Sequence, residues 1–160
     1  MAVIKKSDFV FTEFSMQQAL SHFFGRSHKY IIPNVLMGAC EADLVVISKS
    51  LYVHEVEIKI SQSDIKKDLQ TYCTAHKHPL TKFFSYAVPQ DLKNCEFIPN
   101  DAGLIIVSNY GNCLTIRPPK INKNSRKLTE KEFIGILRLS NFRMWNLRDK
   151  FYNMQLKGQS

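Results

Sequence analysis

Apolar and polar positions along the first 60 residues predict one helix followed by three strands. Residues 12–24 (TEFSMQQALSHFF) carry apolar side chains at helical spacing, and Thr12 is suited to cap the helix N-terminus. Residues 30–36 and 42–47 are short apolar runs of the kind that form strands. Residues 52–60 form a third strand, in which charged and apolar side chains alternate.

The middle of the chain adds a second helix and further strands. Residues 61–73 have the composition and spacing of a helix, and residues 83–88 form a strand that Pro89 ends. Residues 103–107 and 114–117 flank the turn sequence NYGN, which predicts a hairpin. The order is that of an α/β fold, with a core of helix, three strands, helix and strand, and an added hairpin.

The C-terminal quarter is predicted to be a loop followed by helix. Residues 118–127 are rich in basic side chains and form a basic loop, whereas residues 129–155 form a helical region. Thr129 and Glu132 have the spacing of a capping box, which marks where that region begins. We predict a break at Ser140–Asn141, which would divide the region into two C-terminal helices.

Composition favours a folded, cytoplasmic protein. The length of 160 residues and the hydrophobic fraction of 44% predict a single domain over residues 1–160. The N-terminus lacks the apolar core of a signal peptide, and no apolar run is long enough to cross a bilayer, so we expect no membrane partner. The four cysteines are scattered without a CxxC pair, which favours reduced thiols over a zinc site or disulfides.

The net charge of +8 is concentrated near the C-terminus. Residues 120–160 contain ten basic and three acidic side chains (+7), whereas residues 1–119 contain twelve basic and eleven acidic ones (+1). Such a block can attract a polyanion, and DNA is the partner that we expect, with RNA not excluded. The alternative is a solvated surface that aids solubility. The predicted phosphate contacts are Lys120, Lys123, Arg126 and Lys127.

The stretch ADLVVISKSLYVHEVEIKIS places charges in strands that otherwise consist of apolar residues. Glu55, Glu57 and Lys59 project from one face of their strand, and Asp43 on the preceding strand can lie beside Glu57. Two carboxylates and a backbone carbonyl suit Mg²⁺, and a nearby lysine can stabilise a phosphate or orient the attacking water. The alternative is an exposed strand with cross-strand ion pairs.

The same pattern resembles the PD-(D/E)XK nuclease superfamily, in which an acid on one strand pairs with E-x-K on the next and a helix follows. More narrowly, the chain resembles the MmcB-like DNA repair proteins of bacteria and phages. Asp43 follows Ala42 here, where the superfamily motif has proline. The resembling segments, in order from about residue 30 to 150, are EADLVVI, HEVEIKISQSDIKKDL, HKH, KFFSYAVPQDL, DAGLIIV and LRLSNFRMWNLRDK.

The resemblance implies a restriction-endonuclease-like core and a role for each motif residue. Asp43 and Glu57 would bind Mg²⁺, with Mn²⁺ as a substitute, and Lys59 would be the catalytic lysine. Many members add an acid from the first helix, for which Glu13 is the candidate; the alternative is a surface glutamate that favours the helix dipole. Glu41 has the same parity as the motif acids and is a further candidate ligand.

Three other candidates complete the predicted site. Glu55 can support the motif acids or bind another ion. Lys77 and His78 match a basic pair of the resembling group, where phosphate contact is the natural role; the alternative is a pair of cations that oppose a helix dipole.

We therefore expect a metal-dependent endonuclease or exonuclease that hydrolyses phosphodiester bonds in DNA, in repair, recombination or phage DNA metabolism. Two other functions stay open: a nucleic-acid-binding protein that keeps the nuclease fold without activity, and a protein that engages a host enzyme. A nuclease that cuts both strands would favour a homodimer.

Overall fold

A six-stranded mixed sheet is the main feature of the fold. Its strands lie in the order β1-β2-β3-β4-β5-β6, and the described residues also form three α-helices and one 3-10 turn. The elements are α1 (Glu13–Phe24), β1 (Tyr30–Met37), β2 (Cys40–Ile47), β3 (Val53–Ile58), α2 (Gln62–His76), β4 (Thr81–Pro89), the 3-10 turn (Gln90–Leu92), β5 (Gly103–Val107), β6 (Cys113–Arg117) and α3 (Glu130–Lys157).

The predicted α/β fold is confirmed in this mixed sheet with its three helices. The structure is a computed structural model, and its contacts divide the chain into two units, residues 1–127 and 128–160. The sheet, α1 and α2 belong to the first unit, and α3 to the second. The prediction of a single domain stays a prediction. The structure describes residues 9–25, 29–38, 40–76 and 78–157.

The pairing of neighbouring strands changes from antiparallel to parallel at β3, and this change determines where α2 lies. Strands β1, β2 and β3 pair antiparallel through short connections, whereas β3, β4 and β5 pair parallel. A parallel pair needs a crossover, and α2 is the crossover between β3 and β4. The helix therefore begins directly after the carboxyl end of β3, at Gln62. The hairpin predicted at the NYGN turn is present as β5 and β6.

The first helix begins and ends where local chemistry allows. The backbone N–H of Ser15 donates to the Thr12 hydroxyl at 3.1 Å, and the Thr12 N–H donates to the Ser15 hydroxyl at 2.9 Å, so both donors at the helix start are satisfied. Gly25 follows the last turn with φ of 79°, a left-handed conformation that glycine adopts at little cost. The predicted helix and its Thr12 cap are confirmed.

Side-chain alternation separates two apolar clusters, one on each face of the sheet. On one face, Val56 and Ile58 of β3 share a cluster with Met16 and Leu20 of α1. A second cluster brings Ile65 of α2 together with three residues of β4, Phe84, Tyr86 and Val88. By alternation, the acids of β3 project toward this second face.

The C-terminal helix is longer and more regular than predicted. It runs without interruption over Glu130–Lys157, so the predicted break at Ser140–Asn141 is wrong. Serine and asparagine have only moderately unfavourable helix propensities and keep their backbone N–H groups, so they do not interrupt the hydrogen-bonded helix. The start is as expected, since the Thr129 N–H donates to Glu132 at 2.8 Å and the Glu132 N–H donates to the Thr129 hydroxyl at 3.2 Å.

Leu20 is expected to contribute strongly to the stability of the first unit, because its side chain is 0% exposed in the α1 cluster. Leu20→Ala should lower the free energy of unfolding by about 2–5 kcal/mol, through lost burial and a residual cavity. The matched control is Leu114→Ala on β6, where the side chain is 58% exposed, with an expected loss of about 0.5 kcal/mol or less. Urea denaturation measures both, and equal losses would contradict this description of the core.

Candidate active site

The candidate site lies where β2 and β3 meet the start of α2. Leu44 of β2 pairs with Val56 of β3, and this register brings Asp43 opposite Glu57. Lys59 continues β3 by one more backbone hydrogen bond, from its N–H to the carbonyl of Ala87 at 3.1 Å. The pairing that the sequence predicts for Asp43 and Glu57 is therefore present in the sheet.

Asp43 is held by the backbone of the neighbouring strand. The N–H of Ile58 donates to Asp43 Oδ2 at 2.7 Å, which fixes the carboxylate against the end of β3. Burial raises the pKa of Asp43, and the Ile58 hydrogen bond and the charge of Lys59 oppose that rise. The backbone of β3 therefore orients this carboxylate without the help of a ligand.

Lys59 lies between three carboxylates. Its Nζ is 2.9 Å from Glu57 Oε2, 3.3 Å from Asp68 Oδ1 and 3.9 Å from Asp43 Oδ2. Burial by itself would lower the pKa of Lys59, but the carboxylates of Glu57, Asp68 and Asp43 outweigh it and raise the pKa above its usual value. Lys59 is therefore a fixed cation in the described structure.

One lysine does not neutralise the acids around it. Burial, followed by the charge of Asp43, raises the pKa of Glu57 to about 8, although Lys59 acts in the opposite direction. Glu57 is 8% exposed and Glu55 is 2% exposed, so the alternative of an exposed strand face is wrong. The carboxylates of Asp43 and Glu57 repel each other, and a further bound cation would reduce this repulsion.

The donor set fits a cation that keeps most of its water. In the described part of the chain, no three His, Cys, Asp or Glu side chains form a group that could hold a metal ion by themselves. Mg²⁺ is commonly bound through one or two carboxylates with several waters, and Asp43 and Glu57 supply two. These residues therefore fit Mg²⁺ in its usual hydrated form and do not fit a closed structural site.

Glu13 of α1 is connected to Asp43 through hydrogen bonds of Gln17. Its Oε1 accepts hydrogen bonds from Asn34 Nδ2 at 2.9 Å and from Gln17 Nε2 at 3.2 Å, and Gln17 also donates to the carbonyl of Asp43 at 2.8 Å. Asn34 has φ of 52°, a left-handed conformation that is uncommon outside glycine. Glu13 lines the same cleft as Asp43, as its role in the resemblance would require.

Helix α2 contributes residues that the sequence analysis missed. Asp64, Lys67 and Asp68 line a cleft of about 450 Å³ together with Asp43 and Lys59. Their spacing of three and four residues places them on one side of a helix, and this signal could have identified them once the helix after E-x-K was recognised. Lys67 also lines this cleft, and its side chain is exposed.

The other predicted acids lie in different surroundings. Glu55 accepts a hydrogen bond from the Thr81 hydroxyl at 2.7 Å, and burial raises its pKa to about 7. Thr81 is the first residue of β4, whereas Glu57 and Lys59 lie beside the other end of that strand. Glu41 is an exposed residue of β2 that pairs with Leu36.

The predicted phosphate contacts cluster at the opposite end of β4. The Asn122 side-chain amide in the basic loop donates to the carbonyl of Thr81 at 3.0 Å, and the Asn122 backbone N–H donates to the carbonyl of Lys82 at 2.9 Å. Thr81 is six residues from Ala87, a distance of roughly 20 Å along a strand. His78, whose Nδ1 accepts a hydrogen bond from Leu80, lies at this same end.

The basic side chains of this loop are exposed, but they do not line the cleft that contains the carboxylates. Lys77 lies outside the described residues. The loop residues predicted to contact phosphate, all of them exposed, are Lys120, Lys123, Arg126 and Lys127.

Comparison with solved structures finds a protein of the same fold. The chain is similar to SPO1766, a protein of unknown function from Silicibacter pomeroyi, with a TM-score of 0.66 over 91% of this chain and 94% of that chain. The two sequences are 11% identical, so the similarity shows the fold alone. Neither a protein-family model nor a curated protein matches the sequence. Within the described residues, none of the helices combines the length and apolar character that crossing a bilayer requires.

Glu55 is expected to make stability depend on pH. Its pKa of about 7 in the fold lies above the ordinary 4.5, so the folded state binds the proton more tightly than the unfolded state does. The resulting stabilisation is complete below pH 4.5 and is lost as the pH rises through 7. Glu55→Gln keeps an acceptor for Thr81 and removes the charge, so at pH 8 it should exceed the parent in stability, by on the order of 2 kcal/mol.

Denaturant unfolding between pH 4.5 and 8 measures this difference. The Glu55→Gln protein should lose less stability than the parent across this range. Its advantage should be smallest at the acid end, where Glu55 is protonated in the folded state and about half protonated in the unfolded state. Parallel stability curves for the two proteins would show that Glu55 is not the titrating group.

Proposed function

We propose that the protein is a Mg²⁺-dependent nuclease that hydrolyses phosphodiester bonds in DNA, in repair, recombination or phage DNA metabolism. The observation that carries the proposal is the meeting of Asp43, Glu57 and Lys59 at the end of two paired strands. These are the residues to which the PD-(D/E)XK resemblance assigns metal binding and catalysis. The order of α1, three antiparallel strands, α2 and a parallel strand supports a restriction-endonuclease-like core.

The site residues can divide the chemistry among themselves. Asp43 and Glu57 would hold Mg²⁺, which when bound supplies a Lewis acid for the phosphate and lowers the pKa of water. Lys59 has three N–H donors for a phosphate oxygen and the attacking water, and their value increases as negative charge develops in the transition state. Gln17 keeps the Asp43 backbone in place through its hydrogen bond to the carbonyl.

Substrate contact in this proposal begins at the cleft and extends away from it. Lys67 lines the cleft and is exposed, so it is suited to a phosphate next to the scissile one. The basic loop lies at the other end of β4, so its contacts would be made to a more distant part of a DNA backbone. Because phosphate contacts carry no sequence information, these residues favour affinity over sequence specificity.

That separation also favours a second candidate function. A protein that binds nucleic acid through residues 118–127 would not need the carboxylates of β2 and β3 at all. The nuclease fold would then carry a binding surface without activity. The two functions differ in what the loss of Lys59 would do.

Lys59→Met is expected to lower the rate of DNA cleavage by on the order of a hundredfold, as for the loss of one electrostatic stabiliser. The substitution removes the donors and the charge while Asp43 and Glu57 remain, so Mn²⁺ binding should persist. Since Lys59 also pairs with three carboxylates, the melting temperature should fall, and rates must be compared where both proteins are folded. Cleavage with Mg²⁺ or Mn²⁺ is measured on single-stranded, duplex, nicked and branched DNA.

The control for this test is Asp43→Asn. Asparagine keeps an oxygen that can accept from the Ile58 N–H, but it lacks the charge that a metal ion prefers. This variant should lose both cleavage and Mn²⁺ binding. Cleavage at the parental rate by Lys59→Met would contradict the assignment of the motif, and a parent that cuts none of the substrates would favour the binding function.

The basic loop is expected to set the salt dependence of DNA binding. Each phosphate contact contributes roughly 0.9 to the slope of log affinity against log salt, so neutralising four contacts should flatten that slope markedly. The effect should be the same for all DNA sequences, because phosphates carry no sequence information. The residues to be changed to glutamine together are Lys120, Lys123, Arg126 and Lys127.

A control with the same change in net charge separates contact from general attraction. Four basic residues of α3 replaced by glutamine should flatten the slope less than the loop variant does. Fluorescence anisotropy across a salt series measures both. An unchanged slope in the loop variant, or equal flattening in the two, would assign the loop charge to solubility. The control residues are Lys131, Arg138, Arg148 and Lys150.

A further inference from the structure

The lysine of the site has one partner that the metal pair does not supply. Of the three carboxylates near Lys59 Nζ, Asp43 and Glu57 belong to the strands, whereas Asp68 belongs to α2. A cation bound by the two strand acids would withdraw them from Lys59 and would repel its ammonium. Lys59 then needs another carboxylate if it is to stay in the cleft.

The side chain of Asp68 is oriented by a hydrogen bond from a buried tyrosine of β4. The hydroxyl of Tyr86 donates to Asp68 Oδ2 at 2.6 Å, and Lys59 Nζ lies 3.3 Å from Asp68 Oδ1. Tyr86 is 0% exposed, and its ring packs edge to face against Phe84 with 5.2 Å between the ring centroids. Because the tyrosine cannot move without disturbing the core of α2 and β4, the Asp68 carboxylate is fixed as well.

We propose that Asp68, oriented by Tyr86, is a positioning residue that retains Lys59 in the cleft when a divalent cation occupies Asp43 and Glu57. This inference rests on the proposed function. Lys59 moves from the strand acids toward Asp68 as the metal binds, so its donors remain beside the substrate phosphate. In this proposal Asp68 acts through Lys59, whose Nζ lies 3.3 Å from Asp68 Oδ1, and does not bind the metal itself.

Removing Asp68 should make Lys59 compete with the metal. In Asp68→Asn the ammonium has only the strand acids as anionic partners among its three ion pairs, and it stays on Glu57. Mn²⁺ affinity should fall by roughly tenfold, as is usual when a supporting residue of a metal site is lost. Tyr86→Phe keeps the packing and removes the donor to Asp68, so it should reduce Mn²⁺ affinity in the same direction but by less.

A double-mutant cycle in Mn²⁺ binding separates this role from a direct one. Calorimetry is performed on the parent, Asp68→Asn, Lys59→Met and the double variant. If Asp68 acts through Lys59, then Asp68→Asn should weaken Mn²⁺ binding in the parent and have little effect when residue 59 is methionine. An equal loss in both backgrounds would show that Asp68 contacts the metal or acts by its charge alone, and would overturn the proposal.

Asp64→Asn is the matched control, because Asp64 lines the same cleft and accepts its hydrogen bond from Ser61 instead. It removes the same charge and should leave Mn²⁺ affinity nearly unchanged. An equal loss in the Asp64 and Asp68 variants would overturn the proposal, as would an unchanged affinity in Asp68→Asn. Melting temperatures verify that each variant is folded, and Tyr86→Phe provides the test if Asp68→Asn is not.

The results also distinguish this inference from the proposed function. A parent that binds Mn²⁺ but cuts no DNA contradicts the nuclease and leaves the binding cycle readable. A parent that cuts DNA while Asp68→Asn binds Mn²⁺ normally supports the nuclease and overturns the role of Asp68. A parent that binds no Mn²⁺ at all overturns both, since no cation then displaces Lys59.

Discussion

The carboxylates of Asp43 and Glu57 lie close together where β2 pairs with β3, and the single charge of Lys59 does not balance them. Neighbouring groups offset part of the resulting cost. Burial raises the pKa values of both Asp43 and Glu57, which is the physical sign that their charged forms are disfavoured there. The Ile58 N–H and the Lys59 ammonium each offset part of this cost. Burying acids in this way is unfavourable for folding, and this cost supports the proposal that Asp43 and Glu57 form a functional site.

Sequence alternation was sufficient to find the strand residues of the site. The period of two in β3 places Glu57 and Lys59 on one face, and antiparallel pairing with β2 brings Asp43 to the same place. Most of the strands were predictable from short apolar runs, and α1 was predictable from apolar side chains at helical spacing. Local signals also identified the N-cap at Thr12 and the capping box at Thr129.

Tertiary contacts determine the role of the remaining residues. Helical spacing could have made Asp68 a candidate, but its partner Tyr86 becomes apparent only in the folded structure, where α2 packs against β4. Asn34 has a left-handed conformation, and its side chain donates a hydrogen bond to Glu13 of α1, 21 residues earlier in the chain. The continuity of α3 shows the opposite limit, since weak local preferences at Ser140–Asn141 did not break a long helix.

The parallel pairing of β3 and β4 assigns different properties to the two ends of the sheet. At the carboxyl end, Lys59 extends β3 and bonds to Ala87, so acids and lysine meet beside the first turn of α2. At the amino end of β4, Asn122 fastens the basic loop to Thr81 by a backbone acceptor. Strand direction therefore keeps the loop cations away from the carboxylates, which they would otherwise neutralise. Lys59 can then remain the cation that the acids share, and a divalent ion can gain more from this site than it could beside a neutralised pair.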